Sequence, residues 1–307
     1  VTDLALPRPG VYGHPPAGLV DVPDGAVQLS PLVPGASALE DLPPGALAEA
    51  TVLAPPGTLE RRYILALALR ALAPGARLTV LAPKDRGGSR LSRELSGFGC
   101  RLDETAKSHH RIVRTMRPDA PAGLDAAIEE GAPQHFPELG LWTQAGIFSW
   151  NRIDPGTALL IAHLPALSGR GADLGCGLGV LARAVLASAK VTGLALVDND
   201  RRAVAAARRN VEDPRVTLRW ADARAADAVP DRLDFVVMNP PFHDGGAEDR
   251  ALGQAFIRRA AAALRPGGTL WLTANTHLPY EATLAEVFRE VTQRAAAQGY
   301  KIHEARK

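Results

Sequence analysis

From about Ala158 to the end of the chain, short runs of apolar, strand-forming residues alternate with stretches whose apolar positions recur at helical spacing. That alternation predicts an α/β fold with a mostly parallel sheet and helices on its faces. GADLG, VTGLALVD, VTLRW, LDFVVMN and TLWLTAN read as five strands. Helices are predicted over Leu178–Ala187, over RRAVAAARRNV behind a capping Asp200, over Glu248–Leu264 with a stop at Pro266-Gly267-Gly268, and over EATLAEVFRE. The last stretch, VTQRAAAQGYKIHEARK, reads as two short strands turning at Gly299, an antiparallel pair on the sheet edge.

The first half repeats parts of this pattern faintly. EATVLAPPGT (49–58) matches DFVVMNPPFH (234–243) as an apolar strand ending in two prolines, and ALAPGARLTVLAP (71–83) matches ALRPGGTLWLTAN (263–275). The two likenesses imply an ancestral duplication, against the alternative of chance likeness between alanine-rich segments. The division expected is a first domain over residues 1–140 and a second over 141–307, joined where PQHFPELGLWTQAGIFSW has no clear period. Ala54 stands where the second copy has Asn239, and Gly57 where it has Phe242, so the first copy is expected to be a scaffold or substrate-holding domain.

Composition narrows the class. At 307 residues the chain can bury two ordinary cores, and no apolar run approaches a membrane span. VTDLALPRPG lacks the basic and apolar regions of a secretory leader. Cys100 and Cys176 have no metal-ligand or redox spacing, so no zinc site or disulfide is expected, and a reducing, cytoplasmic location is. Net charge is only +2, yet residues 70–117 hold 11 Lys/Arg against 4 Asp/Glu. Lys84, Arg86 and Arg90 lie in that segment, where a polyanion can dock, although a solvated arginine-rich face explains the same count.

Two motifs carry chemistry. DLGCGLG (173–179) follows a strand and opens a helix; Gly175, Gly177 and Gly179 allow a sharp turn and close approach of a ligand to backbone. Asp198 ends the next strand, with Asn199 beside it, and is placed to accept both hydroxyls of a ribose. A nicotinamide cofactor uses the same corner. The G-x-G-x-G spacing, with Asp173 available for an amino group, favours S-adenosylmethionine. Asp222 in WADAR suits the adenine amine or, equally, a helix cap.

The second motif is Asn239-Pro240-Pro241-Phe242, at the end of a core strand. The Asn239 side-chain oxygen and the Pro240 carbonyl can each accept one hydrogen of an amine, and the prolines stiffen both acceptors. Phe242 offers a stacking face for an extruded base. Pro241 and His243 border the same corner; His243 suits a substrate contact and local packing alike.

Together with GIFSWNRIDPGTALLI (146–161), NPPFHDG, PGGTLWLTAN and HLPYEATLAEVF (277–288), these motifs resemble the bacterial small-subunit ribosomal RNA guanine-N2 methyltransferases, a class I S-adenosylmethionine-dependent family with tandem degenerate and active domains. The likeness is strong over roughly 140–307 and faint before that. It implies a Rossmann-like fold, S-adenosylmethionine as cofactor, ribosomal RNA or a ribosomal subunit as partner, and Phe148, Asp154, Gly156 and Thr157 bordering the methionine end of the cofactor. The same chemistry on large-subunit RNA, on adenine N6 of DNA or on a protein glutamine is the neighbouring reading. A nicotinamide-dependent oxidoreductase is the reading from another class, and it leaves the Asn-Pro-Pro-Phe corner without a role.

Overall fold

The structure, a computed structural model, describes residues 7–241, 243–244, 247–248 and 250–307, with the backbone alone for residues 243, 244, 247 and 248. The chain divides into two compact units, Val1–Pro133 with Gln144–Gly146, and Gln134–Thr143 with Ile147–Lys307.

The first unit runs β1 (Arg8–Tyr12), β2 (Val27–Gln28), β3 (Leu47–Leu53), α1 (Thr58–Ala71), β4 (Leu72–Pro83), α2 (Leu91–Gly97), β5 (Leu102–Lys107), β6 (His110–Met116) and α3 (Leu124–Gly131). Its six-stranded sheet has the order β2-β1-β3-β4-β6-β5. The sequence YILALAL makes the middle of α1 apolar all round, and residues 63–69 are all buried, Leu65, Leu67 and Leu69 at the centre of the core. Gly131 of α3 lets that helix close on α1, because a Cβ there would lie 2.4 Å from the Tyr63 side chain.

The second unit begins with a hairpin, β7 (Gln134–Phe136) and β8 (Leu141–Thr143), inside the stretch without a clear period. It continues α4 (Pro155–His163), β9 (Gly169–Leu174), α5 (Val180–Leu186), β10 (Val191–Asp198), α6 (Arg201–Asn210), β11 (Val216–Trp220), β12 (Leu233–Met238), β13 (His243–Asp244), β14 (Ala247–Glu248), α7 (Arg250–Ala263), β15 (Leu264–Asn275), α8 (Glu281–Val287), β16 (Glu290–Ala297) and β17 (Tyr300–Arg306). The seven-stranded sheet has the order β11-β10-β9-β12-β15-β17-β16, parallel except for the β15–β17 and β17–β16 pairs. On α6, Ala203, Ala206 and Ala207 face the core while Arg208 and Arg209 stay outside. The Asp200 carboxylate caps that helix by accepting from the Arg202 amide at 2.9 Å.

Several boundaries differ from expectation. The helix after the glycine turn starts at Val180 rather than Leu178. The long helix starts at Arg250 and ends at Ala263, with Pro266-Gly267-Gly268 inside the following strand. No helix follows Asp222, so that residue caps a turn. The units divide at 133/134, with a short return at 144–146.

Strand for strand, β1-β3-β4-β6-β5 matches β9-β12-β15-β17-β16. With the sequence matches as the frame, the β4–β6 and β15–β17 registers coincide, while β3 and β12 sit one residue apart on their neighbours. Val52 lies between Tyr12 and Val80, as Val237 lies between Asp173 and Trp271. Val80 pairs with Val113 as Leu272 pairs with His303. Two halves of one chain thus carry one topology, the outcome that duplication predicts.

Candidate active site

In the second sheet the strand order reverses between β9 and β12, the place where α/β sheets open a crevice beyond their carboxyl ends. Three strands deliver polar side chains there: Asp173 from β9, Asp198 as the last residue of β10, and Asn239 immediately after β12. Gly175 ties them together. A Cβ on it would sit 3.9 Å from both the Asn239 carbonyl oxygen and Pro241 Cδ. Gly175, Gly177 and Gly179 all have positive φ, a conformation that a side chain at any of them would strain. At Gly179 close packing adds to this, since a Cβ would come within 2.6 Å of Val211.

Asp173 is wholly buried, and neither of its carboxylate oxygens has a hydrogen-bond partner among the described residues. Burial, reinforced by the charge of Asp198, pushes its pKa up to about 8. A buried acid of this kind is complementary to a cationic group brought by a ligand. Asp198, by contrast, pins the glycine turn. Its Oδ2 accepts from the Gly177 amide at 2.8 Å and its Oδ1 from the Asp200 amide at 2.9 Å. Burial raises its pKa to about 6 against those hydrogen bonds. Each oxygen keeps a second lone pair for a ligand hydroxyl.

The corner itself is held by residues far away in sequence. Asn239 Nδ2 donates to Asp154 Oδ1 and to Thr157 Oγ1, both at 2.9 Å. Asp154 is the N-cap of α4 and accepts from the Thr157 amide at 2.9 Å, and Pro155 stands at the first helical position. Tyr300, at the start of β17, approaches Asp154 Oδ2 through its hydroxyl at 3.4 Å, and burial with the nearby Asp154 charge raises its pKa. Gly156 makes room for that ring, since a Cβ would lie 2.4 Å from it. With both amide hydrogens taken, Oδ1 is the acceptor that Asn239 has left to offer.

The remaining expected residues fall in different places. Pro240 is buried and Pro241 half-buried at the corner. Phe242 and the His243 side chain lie outside the described residues. Phe148 is 58% exposed, and the next residue, Ser149, has φ of 52°. Asn199 is exposed and its carbonyl accepts from Trp220 Nε1. Asp222 is gripped by the Arg224 guanidinium and amide, which hold its pKa below the ordinary carboxylate range. Lys84, Arg86 and Arg90 belong to the first unit, with Lys84 and Arg90 exposed and Arg86 half-buried. Tyr300 escaped sequence reasoning. Its only trace is Gly156, which a helix start does not otherwise require.

The fold and this corner define a methyltransferase, and the methyltransferase small domain family matches residues 138–304. A Pseudomonas aeruginosa ribosomal RNA small subunit methyltransferase C is 32% identical over 285 residues, covering 91% of this chain and 86% of that protein. The Shewanella loihica protein of the same name is 32% identical over 252 residues, 80% of this chain and 73% of its own length. A solved T. thermophilus 16S rRNA N2 methyltransferase, in complex with AdoMet and guanosine, has the same fold (TM-score 0.78, 24% identity, 98% of this chain and 88% of that one). The chain belongs to the ribosomal RNA small subunit methyltransferase C family.

Proposed function

We propose that this protein transfers a methyl group from S-adenosylmethionine to the exocyclic N2 amine of a guanine in small-subunit ribosomal RNA. The observation that carries the reading is the fixed amide of Asn239, whose two hydrogens are engaged by Asp154 and Thr157. Its Oδ1 and the Pro240 carbonyl can then each accept one amine hydrogen. That turns the nitrogen lone pair away from the ring and toward the cofactor side of the crevice. The gain is positional, and no general base is needed because the methylated amine sheds its proton readily. S-adenosylmethionine, when bound, supplies a methyl already activated by a positive sulfur. Asp173 suits its amino group, Asp198 its ribose hydroxyls, and the glycine turn its close approach to backbone. Phe242 is assigned as the base platform on the sequence alone.

RNA as substrate is supported by the family and by the first unit. There, a cavity of about 490 Å³ is lined by Arg62, Arg90 and Arg93 among others. None of these three forms an ion pair with a described residue. The test is radiolabelled methyl transfer to purified small subunits, to naked ribosomal RNA, to DNA and to protein, followed by mass mapping of the labelled product. N2-methylguanine in small-subunit RNA is expected. Label on adenine, on glutamine or in large-subunit RNA alone would overturn the reading.

A further inference from the structure

We infer that Asp154 and Thr157 are positioning residues that fix which end of the Asn239 amide faces the substrate. An asparagine side chain is close to symmetric in shape, so packing alone does not choose between its oxygen and its nitrogen. Hydrogen bonding does. Asp154 Oδ1 is a carboxylate oxygen and can only accept. Flipping Asn239 would set its Oδ1 against that oxygen at the same 2.9 Å. The pair of lone pairs would repel, and Nδ2 would face the crevice, where it donates to an incoming amine instead of accepting from it. Thr157 reinforces the choice. Its amide is already donated to Asp154, and its Oγ1 receives the second Asn239 hydrogen.

The acceptor pair is rigid in turn. Asp154 and Thr157 are the cap and third residue of α4, fixed to each other by the capping hydrogen bond. Thr157 is 8% exposed. Tyr300 leans on the far oxygen of Asp154 across the space left by Gly156. The D-P-G-T sequence at 154–157 therefore acts at the amine site, 82–85 residues away in the chain, besides any contact with cofactor.

This rests on Asn239 being the amine acceptor, and the test separates the two claims. With the full chain, single-turnover methyl transfer to RNA and S-adenosylmethionine affinity by calorimetry are measured for Asn239→Ala, Thr157→Val, Thr157→Ser, Asn239→Asp, and Asn239→Asp combined with Asp154→Asn. Loss of transfer in Asn239→Ala establishes the acceptor role by itself. Thr157→Val keeps the shape and removes the oxygen, so transfer is expected to fall about tenfold with affinity within about threefold; Thr157→Ser should recover most of the loss. Asn239→Asp puts two carboxylates face to face and should be nearly inactive. Adding Asp154→Asn restores one donor and one acceptor between the two positions, keeps a good helix cap, and should raise transfer at least tenfold over Asn239→Asp alone. Equal rates for the two Thr157 variants, or an exchange no better than Asn239→Asp, overturn the positioning role while leaving the acceptor role standing. Full activity in Asn239→Ala overturns the acceptor role itself and, with it, the reading of the corner on which this inference rests.

Discussion

Just after β12 the second unit places Asn239 and two prolines at the switch point of its sheet; at the matching end of β3 the first unit has sealed its own corner. Ala54 replaces the asparagine, and the carbonyls of Pro55 and Pro56 both accept from Arg61 Nη1, at 3.2 and 2.7 Å. Arg61 is wholly buried, and its Nε and Nη2 each pair with a Glu94 oxygen at 2.7 Å. Gly87 clears the space, as a Cβ there would lie 2.3 Å from the guanidinium. At the register position of Asp173 stands Tyr12, 5% exposed. One topology thus serves twice. At one strand end a buried carboxylate is left without a partner, and at the other the chain closes its polar groups internally.

The comparison breaks most sharply at Asn239→Ala, which gives the active corner the residue of the sealed one. Transfer is expected to fall by about 10³ or more, because the amine loses its oriented acceptor, while S-adenosylmethionine affinity stays within about threefold. Single-turnover rates and calorimetry on one preparation check both halves of that statement.

The reverse intervention, Arg61→Ala, empties the sealed corner. It strands a nearly buried Glu94 and two prolyl carbonyls, and removing one partner of a buried pair costs about 3–5 kcal/mol. Denaturant unfolding should show that loss. Cofactor affinity should not change, since Arg61 belongs to the other unit. A loss below about 1 kcal/mol would mean that the buried pair is not what closes this copy.

Asp173→Asn tests the unsatisfied acid, with an expected loss of about 2 kcal/mol, or roughly 30-fold, in cofactor affinity. The pH dependence has a definite sign. With its pKa near 8, Asp173 is mostly protonated in the free protein at pH 6 and must give up that proton to face a cation. Wild-type affinity should therefore tighten as pH rises from 6 toward 8, by up to about tenfold per unit, and Asp173→Asn should flatten that slope. A slope unchanged by the substitution would remove Asp173 from the binding role.

Much of this contrast was legible in the chain itself. The glycine turn, Asp173, Asp198 and Asn239 were visible because each is a local pattern: a strand, a turn residue and a polar side chain at a strand end. The duplicate β3–β4 pair was visible for the same reason. The clamp on Asn239 was not, because it joins positions 82–85 residues apart and hydrogen-bond direction leaves no mark in sequence. Asp154 and Thr157 were expected beside the cofactor through family likeness, and the hydrogen bonds give Asn239 as their partner. Arg61 was hidden in a helix that reads as core, since a buried arginine is recognisable only once its carboxylate and carbonyl partners are in place. Asp222 looked available and is taken by its own neighbour, Arg224.

A smaller effect is expected in the first unit's cavity. Arg62 Nε is buried without a hydrogen-bond partner among the described residues, and Arg90 is held by the Thr58 hydroxyl at 2.8 Å. If these guanidiniums meet RNA phosphate, each Arg→Ala change at 62, 90 or 93 should weaken RNA binding a few-fold and lower the salt slope by about 1. S-adenosylmethionine affinity should be untouched. Binding that keeps its salt dependence in the triple variant would move the RNA contact elsewhere.

The smallest expected effect belongs to Ala54→Asn, which returns the missing acceptor to the sealed corner and should create no second site. Calorimetry should still give one S-adenosylmethionine per chain. Three features of the first unit stand in the way at once. Arg61 occupies the prolyl carbonyls that would share the amine. Tyr12 fills the register position from which an acid would receive a cationic group. After β1 no glycine turn opens a helix; the Gly13 amide and carbonyl are closed instead by the Gln28 side chain, at 3.1 and 2.9 Å. An acceptor without a cofactor crevice has nothing to aim an amine at, so restoring it alone restores no chemistry. Two equivalents of bound S-adenosylmethionine in Ala54→Asn would show instead that the asparagine was all the first copy had lost.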